Sequence, residues 1–261
     1  MTADERWQQE LAAWAIPREI MAQAPEDPWK LPVELFEADQ RTGLSVSHRR
    51  AREAVRDGDD VLDVGAGRCA MSLPLRPPAA RIIAVDESQA MLDKSPADET
   101  VLGRWPDVAK QVQEAAVVVC GHVLYNVPDL GPFIAALNKA ASGRVVLEIT
   151  QTHPRTRPVE VALWKHFWDI DRPTGPAWQD AVAVIKDRGI TPSVDLWDTA
   201  ERSGFRKLED LVAWMRRTVC LDPARTSEVE ALVRQYAVNR DGRWQLSAVP
   251  RAIATIWWDV R

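Results

Sequence analysis

A short apolar strand that runs directly into glycines, Asp60-Val61-Leu62-Asp63-Val64 followed by Gly65-Ala66-Gly67, constrains this chain more than any other feature. Glycines at a strand exit admit positive φ angles and let a ligand approach the main chain closely. The strand is the first of a series. Arg81 to Asp86 is a second apolar run, ending in an acid, and Thr100 to Leu102 is a weaker third. Ala116 to Cys120 and Arg144 to Ile149 supply a fourth and a fifth. Uninterrupted β-branched runs predict strands covered on both faces, as in a parallel sheet. The intervening segments 69–75, 89–92, 106–112 and 132–140 are long enough for helices, and in the last Phe133, Ala136, Leu137 and Ala140 keep a helical stripe. This alternation predicts an α/β chain with a doubly wound, mostly parallel sheet.

The flanks read as helical. Trp7, Leu11, Trp14 and Ala15 fall at helical spacing before Pro17, Pro25, Pro28 and Pro32 interrupt the pattern. Leu31 to Phe36 and Ser47 to Val55 suggest two further short helices. Beyond Thr150, the stretches Pro158 to Ile170 and Ala177 to Arg188 read as amphipathic helices. Sheet-like sequence resumes at Ser193 to Trp197. Helices are then expected over Leu208 to Val219 and Thr226 to Val238, with a last strand over Ala254 to Val260. Four parts follow: an N-terminal helical extension (1–50), a Rossmann-like nucleotide-binding core (51–152), an inserted helical cap (153–190), and a segment completing the sheet (191–261).

Charge and cysteine content narrow the function. The formal net charge is −5, and no dense basic run offers a surface for a polyanion. Only His48-Arg49-Arg50 makes a local basic group, read as a solvated helix face. No stretch approaches the roughly 20 apolar residues that cross a bilayer, and Asp4 and Glu5 stand where a secretory signal would be basic and then apolar. The three cysteines form neither a disulfide framework nor a zinc pattern, so a cytoplasmic chain with reduced thiols and no metal is expected. Tryptophan is abundant, with 12 residues, and only Trp105 lies between residues 55 and 155. The indoles therefore surround the nucleotide core rather than fill it.

Asp86 ends the second strand 23 residues after Asp63, where a carboxylate can accept both hydroxyls of an adenosine ribose. Two cofactors fit the glycine turn. Gly65-x-Gly67-x-x-Ala70 satisfies the dinucleotide fingerprint, which keeps an NAD(P)-binding oxidoreductase open. Asp63, two residues before the first glycine, tips the balance. A carboxylate there repels pyrophosphate and suits the cationic methionine end of S-adenosylmethionine (SAM).

Three segments carry a family resemblance. Val61-Leu62-Asp63-Val64-Gly65-Ala66-Gly67 resembles motif I of the class I SAM-dependent methyltransferases. Ala84-Val85-Asp86-Glu87-Ser88 with Met91-Leu92 is similar to the following motif, and Val117 to Val127 resembles the fourth-strand region beside the methionine part of SAM. The resemblance implies a Rossmann-like transferase that takes SAM, leaves S-adenosyl-L-homocysteine, and methylates a small-molecule acceptor. It places Asp63, Gly65, Ala66 and Gly67 at the methionine portion, Asp86 at the ribose, and Glu87 and Ser88 beside the adenine. Cys120, Gly121 and His122 would flank the methionine part. Cys69 stands at the family's third glycine. Gly103-Arg104-Trp105 replaces an acidic position near the adenine, with Arg104 and Trp105 as substitute contacts. His122 and His166 are the candidate bases, and Tyr125, Asn126, Trp164 and Trp168 the candidate acceptor contacts. A non-catalytic binding protein of the same fold, and a homodimer, also stay open.

Overall fold

The computed structural model describes residues 1–29, 43–199, 204–246 and 251–260. The helix expected over Leu31 to Phe36 lies outside the described residues. Nine strands are present among the described residues: β1 (Asp60–Val64), β2 (Arg81–Asp86), β3 (Glu99–Leu102), β4 (Ala115–Gly121), β5 (Ala141–Thr150), β6 (Ser193–Thr199), β7 (Ala237–Arg240), β8 (Arg243–Leu246) and β9 (Arg251–Asp259). Seven of them form one sheet in the order β3-β2-β1-β4-β5-β9-β6. β1 to β5 pair in parallel, while β9 runs antiparallel to both β5 and β6. The architecture is the Rossmann-like α/β sheet that the strand rhythm predicted.

Helices close both faces. They are α1 (Ala3–Ala12), α2 (Arg18–Met21), α3 (Val46–Arg52), α4 (Gln89–Leu92), α5 (Leu130–Ala140), α6 (Pro158–Trp168), α7 (Trp178–Asp187), α8 (Leu208–Thr218) and α9 (Thr226–Val233). Side chains alternate across a strand, so Leu62, Val118, Val145 and Leu147 bury on one face beneath α1, α5 and α7. Val61, Val117, Val119 and Val146 bury on the other, beneath Ala51 of α3 and Leu75. Two covered faces explain why these strands have no polar alternation.

Several local expectations give way. Segments 69–75 and 106–112 form turns with only 3-10 pieces, Leu73–Leu75 and Ala109–Gln111, rather than α-helices. The helix expected to Val238 stops at Val233 and is followed by the β7–β8 hairpin. Its turn is Asp241-Gly242, with φ of 50° and 75°, the paired positive angles of the tight turn that Asp-Gly favours. The Asp-Gly pair was the available signal. His48-Arg49-Arg50 is not a basic face: His48 is fully buried, its Nε2 donating to the Ala70 carbonyl at 3.0 Å, and Arg50 pairs with Asp195 and Glu53.

The expected cap over 153–190 does not form one unit. α7 belongs to the main layer, burying Ala181, Val184 and Ile185 over the sheet. α6 instead joins α8, α9 and the hairpin in a second core built on Leu163, Trp164, Leu211, Met215 and Val229. The excursion from the sheet is therefore largely the segment between β6 and β9, with α6 packed onto it. No helix among the described residues is long and apolar enough to cross a membrane.

The N-terminal helix is part of the main core. Trp7 is fully buried, and its indole Nε1 donates to the Val127 carbonyl at 2.8 Å. Trp7→Ala would open a cavity and orphan that carbonyl, with an expected loss of about 3–5 kcal/mol in urea unfolding. A loss under about 1 kcal/mol would mean that α1 is dispensable to the sheet layer.

Candidate cofactor and acceptor site

The carboxyl ends of β1, β2 and β4 surround a cavity of about 460 Å³, within the size range of small-ligand sites. Parallel α/β sheets bind ligands at this edge because the connecting turns diverge there. The glycine turn forms one wall. Gly65 and Gly67 have φ of 69° and 53°, and the amides of Gly65 and Ala66 both donate to the Val85 carbonyl, at 2.8 and 3.0 Å. A Cβ on Gly65 would lie 2.2 Å from Val123 Cγ2, so the bare backbone there is also a steric requirement.

Asp86 organises the opposite wall. Its Oδ2 accepts from Gly67 N at 2.8 Å, and its Oδ1 accepts from Ser88 N at 2.8 Å. Each oxygen keeps a further lone pair toward the cavity. Glu87, Ser88, Met91, Gly103, Arg104 and Trp105 continue this side. Trp105 is nearly buried and donates to the Phe133 carbonyl at 3.4 Å, so its ring is held as a wall. Gly121, His122, Val123, Asn126 and Val127 close the β4 side.

Most of the expected cofactor contacts thus share one cavity. Ala66, Cys120 and Asp63 do not line it. Ala66 and Cys120 are buried in the cores on either side of the sheet. Asp63 lies beneath the turn, 1% exposed, accepting a 2.6 Å hydrogen bond from Ser72 Oγ. Burial pushes its pKa up to about 7, and the nearby Asp86 charge adds to that rise. Ser72 opposes the shift without cancelling it.

His122 takes the left-handed conformation, φ 60°, which non-glycine residues adopt rarely and which concentrates at functional sites. Its amide donates to the Glu148 carbonyl at 2.8 Å, and its Nε2 lies 3.1 Å from Glu148 Oε1. Glu148 is fully buried on β5. With the carboxylate accepting, Nε2 carries the proton and Nδ1 holds the basic lone pair. Nδ1 is buried without a hydrogen-bond partner among the described residues. Glu148 was missed at the sequence level, although an acid inside Val145-Val146-Leu147-Glu148-Ile149 was the signal to follow.

The remaining candidates separate. Asn126 is exposed and lines the cavity. Tyr125 turns away from it: its hydroxyl bonds to Thr150, and burial pushes its pKa up to about 12. His166 is exposed on α6, edge-on to Phe167 at 4.7 Å, and is absent from the cavity. Trp164 is buried in the second core, and Trp168 donates to the Val219 carbonyl at 2.8 Å. Helical spacing placed Trp164, His166 and Trp168 on one element, but α6 faces the second core.

Asp63 yields a pH prediction. With the native pKa near 7 against an ordinary 3.8, the folded chain holds this proton while the unfolded chain releases it. Its contribution is full below about pH 4 and is lost as pH rises through 7, at no more than ~1.4 kcal/mol per pH unit. Asp63→Asn should remove that part of the slope when denaturant unfolding is followed from pH 4 to 8. Contributions from other groups, including His153, cancel in the difference. Identical slopes for the two proteins would contradict the assignment.

No family model and no curated relative matches the sequence. Solved structures do match. The YcgJ protein of Bacillus subtilis is 14% identical with a TM-score of 0.51, over 82% of this chain and 98% of that one. Magnesium protoporphyrin IX methyltransferase of Synechocystis, solved with bound S-adenosylhomocysteine, is 18% identical with a TM-score of 0.47, covering 70% and 88%. A SAM-dependent methyltransferase from Archaeoglobus fulgidus is 14% identical with a TM-score of 0.48, covering 85% and 97%. The chain shares a Rossmann-like α/β fold with the YcgJ protein, with its glycine turn and Asp86 at the carboxyl-end edge of the sheet.

Proposed function

We propose that the protein is a SAM-dependent methyltransferase acting on a small-molecule acceptor. The observation that carries this reading is the convergence of the Gly65–Gly67 turn and the Asp86 carboxylate on one cavity at the strand ends. The residues present fit SAM. Asp86 offers two acceptor oxygens to a ribose, and Val64, Val85, Met91 and Phe133 offer apolar surface to the adenine side. Asp63, buried below the turn with a pKa raised to about 7, favours a cationic ligand above it in its ionised form, and such a ligand would in turn favour that form.

The sheet disfavours a dinucleotide reading. Dinucleotide-binding sheets follow the strand order 3-2-1-4-5-6. Here an antiparallel β9 separates β5 from β6. Asp63 beneath the glycine turn would also repel a pyrophosphate whenever it is ionised.

SAM supplies an already activated methyl group, so the protein's work is placement and exclusion of water. His122 lines the cavity as the candidate base; its Nε2 is held by Glu148 and its Nδ1 is buried, so a proton from an O–H or N–H acceptor reaches Nδ1 only once the ring turns outward. Asn126 is placed at the open side to orient the acceptor. His166 has no part in this arrangement.

Calorimetry with SAM and with S-adenosylhomocysteine tests the reading. Both should bind, and Asp86→Ala should weaken each by about 30- to 100-fold, the equivalent of about 2–3 kcal/mol for hydrogen bonds to a charged acceptor. Absence of binding to either ligand by the wild-type protein would overturn it.

A further inference from the structure

Two arginines in the segments after β5 hold part-buried charge and form no ion pair among the described residues. Arg155 donates from Nη2 to the Pro28 carbonyl at 3.3 Å, and its guanidinium lies 4.4 Å from the centre of the Trp29 ring. Arg172 donates to the Trp14 carbonyl at 2.6 Å and lies 4.7 Å from the Trp14 ring and 4.8 Å from Trp164. Its Nε is buried with no hydrogen-bond partner among the described residues. Among these residues neither arginine forms a salt bridge.

The surroundings leave this charge undercompensated. Burial lowers the pKa of both guanidiniums, and Arg155 lowers that of Arg172 further. Glu160, buried on α6, is the carboxylate that offsets both, and Asp27 adds a smaller offset at Arg155. His153 contributes no positive charge. It stacks on Trp14 at 3.7 Å, and burial together with the two arginines depresses its pKa to about 3. Holding two like charges together, part-buried and with the Arg172 Nε shut off from water, is costly unless an anion completes the site. Arginine held against flat aromatic faces is suited to planar, bidentate recognition of carboxylate or phosphate.

His153 links these arginines to the loop after β4 that carries Asn126. His153 follows β5 directly and meets the Tyr125 ring edge-on at 5.4 Å, and Tyr125 precedes the cavity residue Asn126. We infer that Arg155 and Arg172 bind an anionic group of the methyl acceptor, a carboxylate or a phosphate, beside the indoles of Trp14 and Trp164. The identity of the ligand as acceptor rests on the methyl-transfer reading; the anion site itself does not.

The test uses the full chain and calorimetry with three probes: benzoate, inorganic phosphate and the neutral benzamide. At least one anion should bind, with benzamide about tenfold weaker or more, and the anion that binds identifies the source of the charge. Arg172→Met should weaken anion binding about tenfold or more, with Arg172→Lys intermediate and S-adenosylhomocysteine binding unchanged within about twofold. If Arg172→Met loses its circular-dichroism signature, Arg155→Met replaces it. The inference is overturned if neither anion binds, if benzamide binds as well as benzoate, or if the arginine variants bind the anion like the wild type. Anion binding without S-adenosylhomocysteine binding would remove the methyl-transfer reading and leave the anion site standing.

Discussion

Two backbone amides, from Gly67 and Ser88, converge on the single carboxylate of Asp86 at 2.8 Å each. These contacts tie the turn after β1 to the loop after β2, and they fix the separation of the two cavity walls. The glycine turn contributes its positive φ angles, and the Gly65 and Ala66 amides tie it to β2 a second time at the Val85 carbonyl. The remaining features depend on this junction: the buried Asp63 below it, the β4 wall opposite, and the acceptor side beyond Asn126.

The sheet's second face has an unusual polar content for a covered layer. Asp63, Glu148, Thr255 and Ser47 are all buried there. Ser72 satisfies Asp63, Ser47 and Trp197 meet Thr255, and Glu148 engages His122. Buried polar groups survive where they are paired; the Glu148–His122 pair ends at the ligand cavity, and the Asp63–Ser72 pair lies beneath its glycine turn. The face that packs α3 therefore also supports the chemistry, while the face beneath α1, α5 and α7 is built for packing.

Tryptophan has a similar division of labour. Trp7 and Trp258 fill the main core and each donates an indole hydrogen bond, Trp7 to Val127 and Trp258 to Asn138. Trp257 takes Arg50 and Arg144 against its ring on the other face. Trp14, Trp29 and Trp164 hold arginines beyond β5. An abundance of indoles around the nucleotide core thus serves cation contacts as well as burial.

The local sequence determined the strands and the cofactor-facing turn, because a doubly covered parallel strand needs a continuous apolar run and because Gly65, Gly67 and Asp86 are close in sequence to the elements they join. Asp86 could be placed from its spacing to the glycine turn, and Trp105 from the family resemblance. Glu148, Arg155 and Arg172 could not, since an acid in a strand or an arginine in a loop acquires its meaning from neighbours on other elements. Tertiary structure also decided that α7 covers the sheet while α6 joins the second core, which removed His166, Trp164 and Trp168 from the cavity. Helical periodicity specifies that a helix has an apolar face, but the partner that buries this face is chosen by packing.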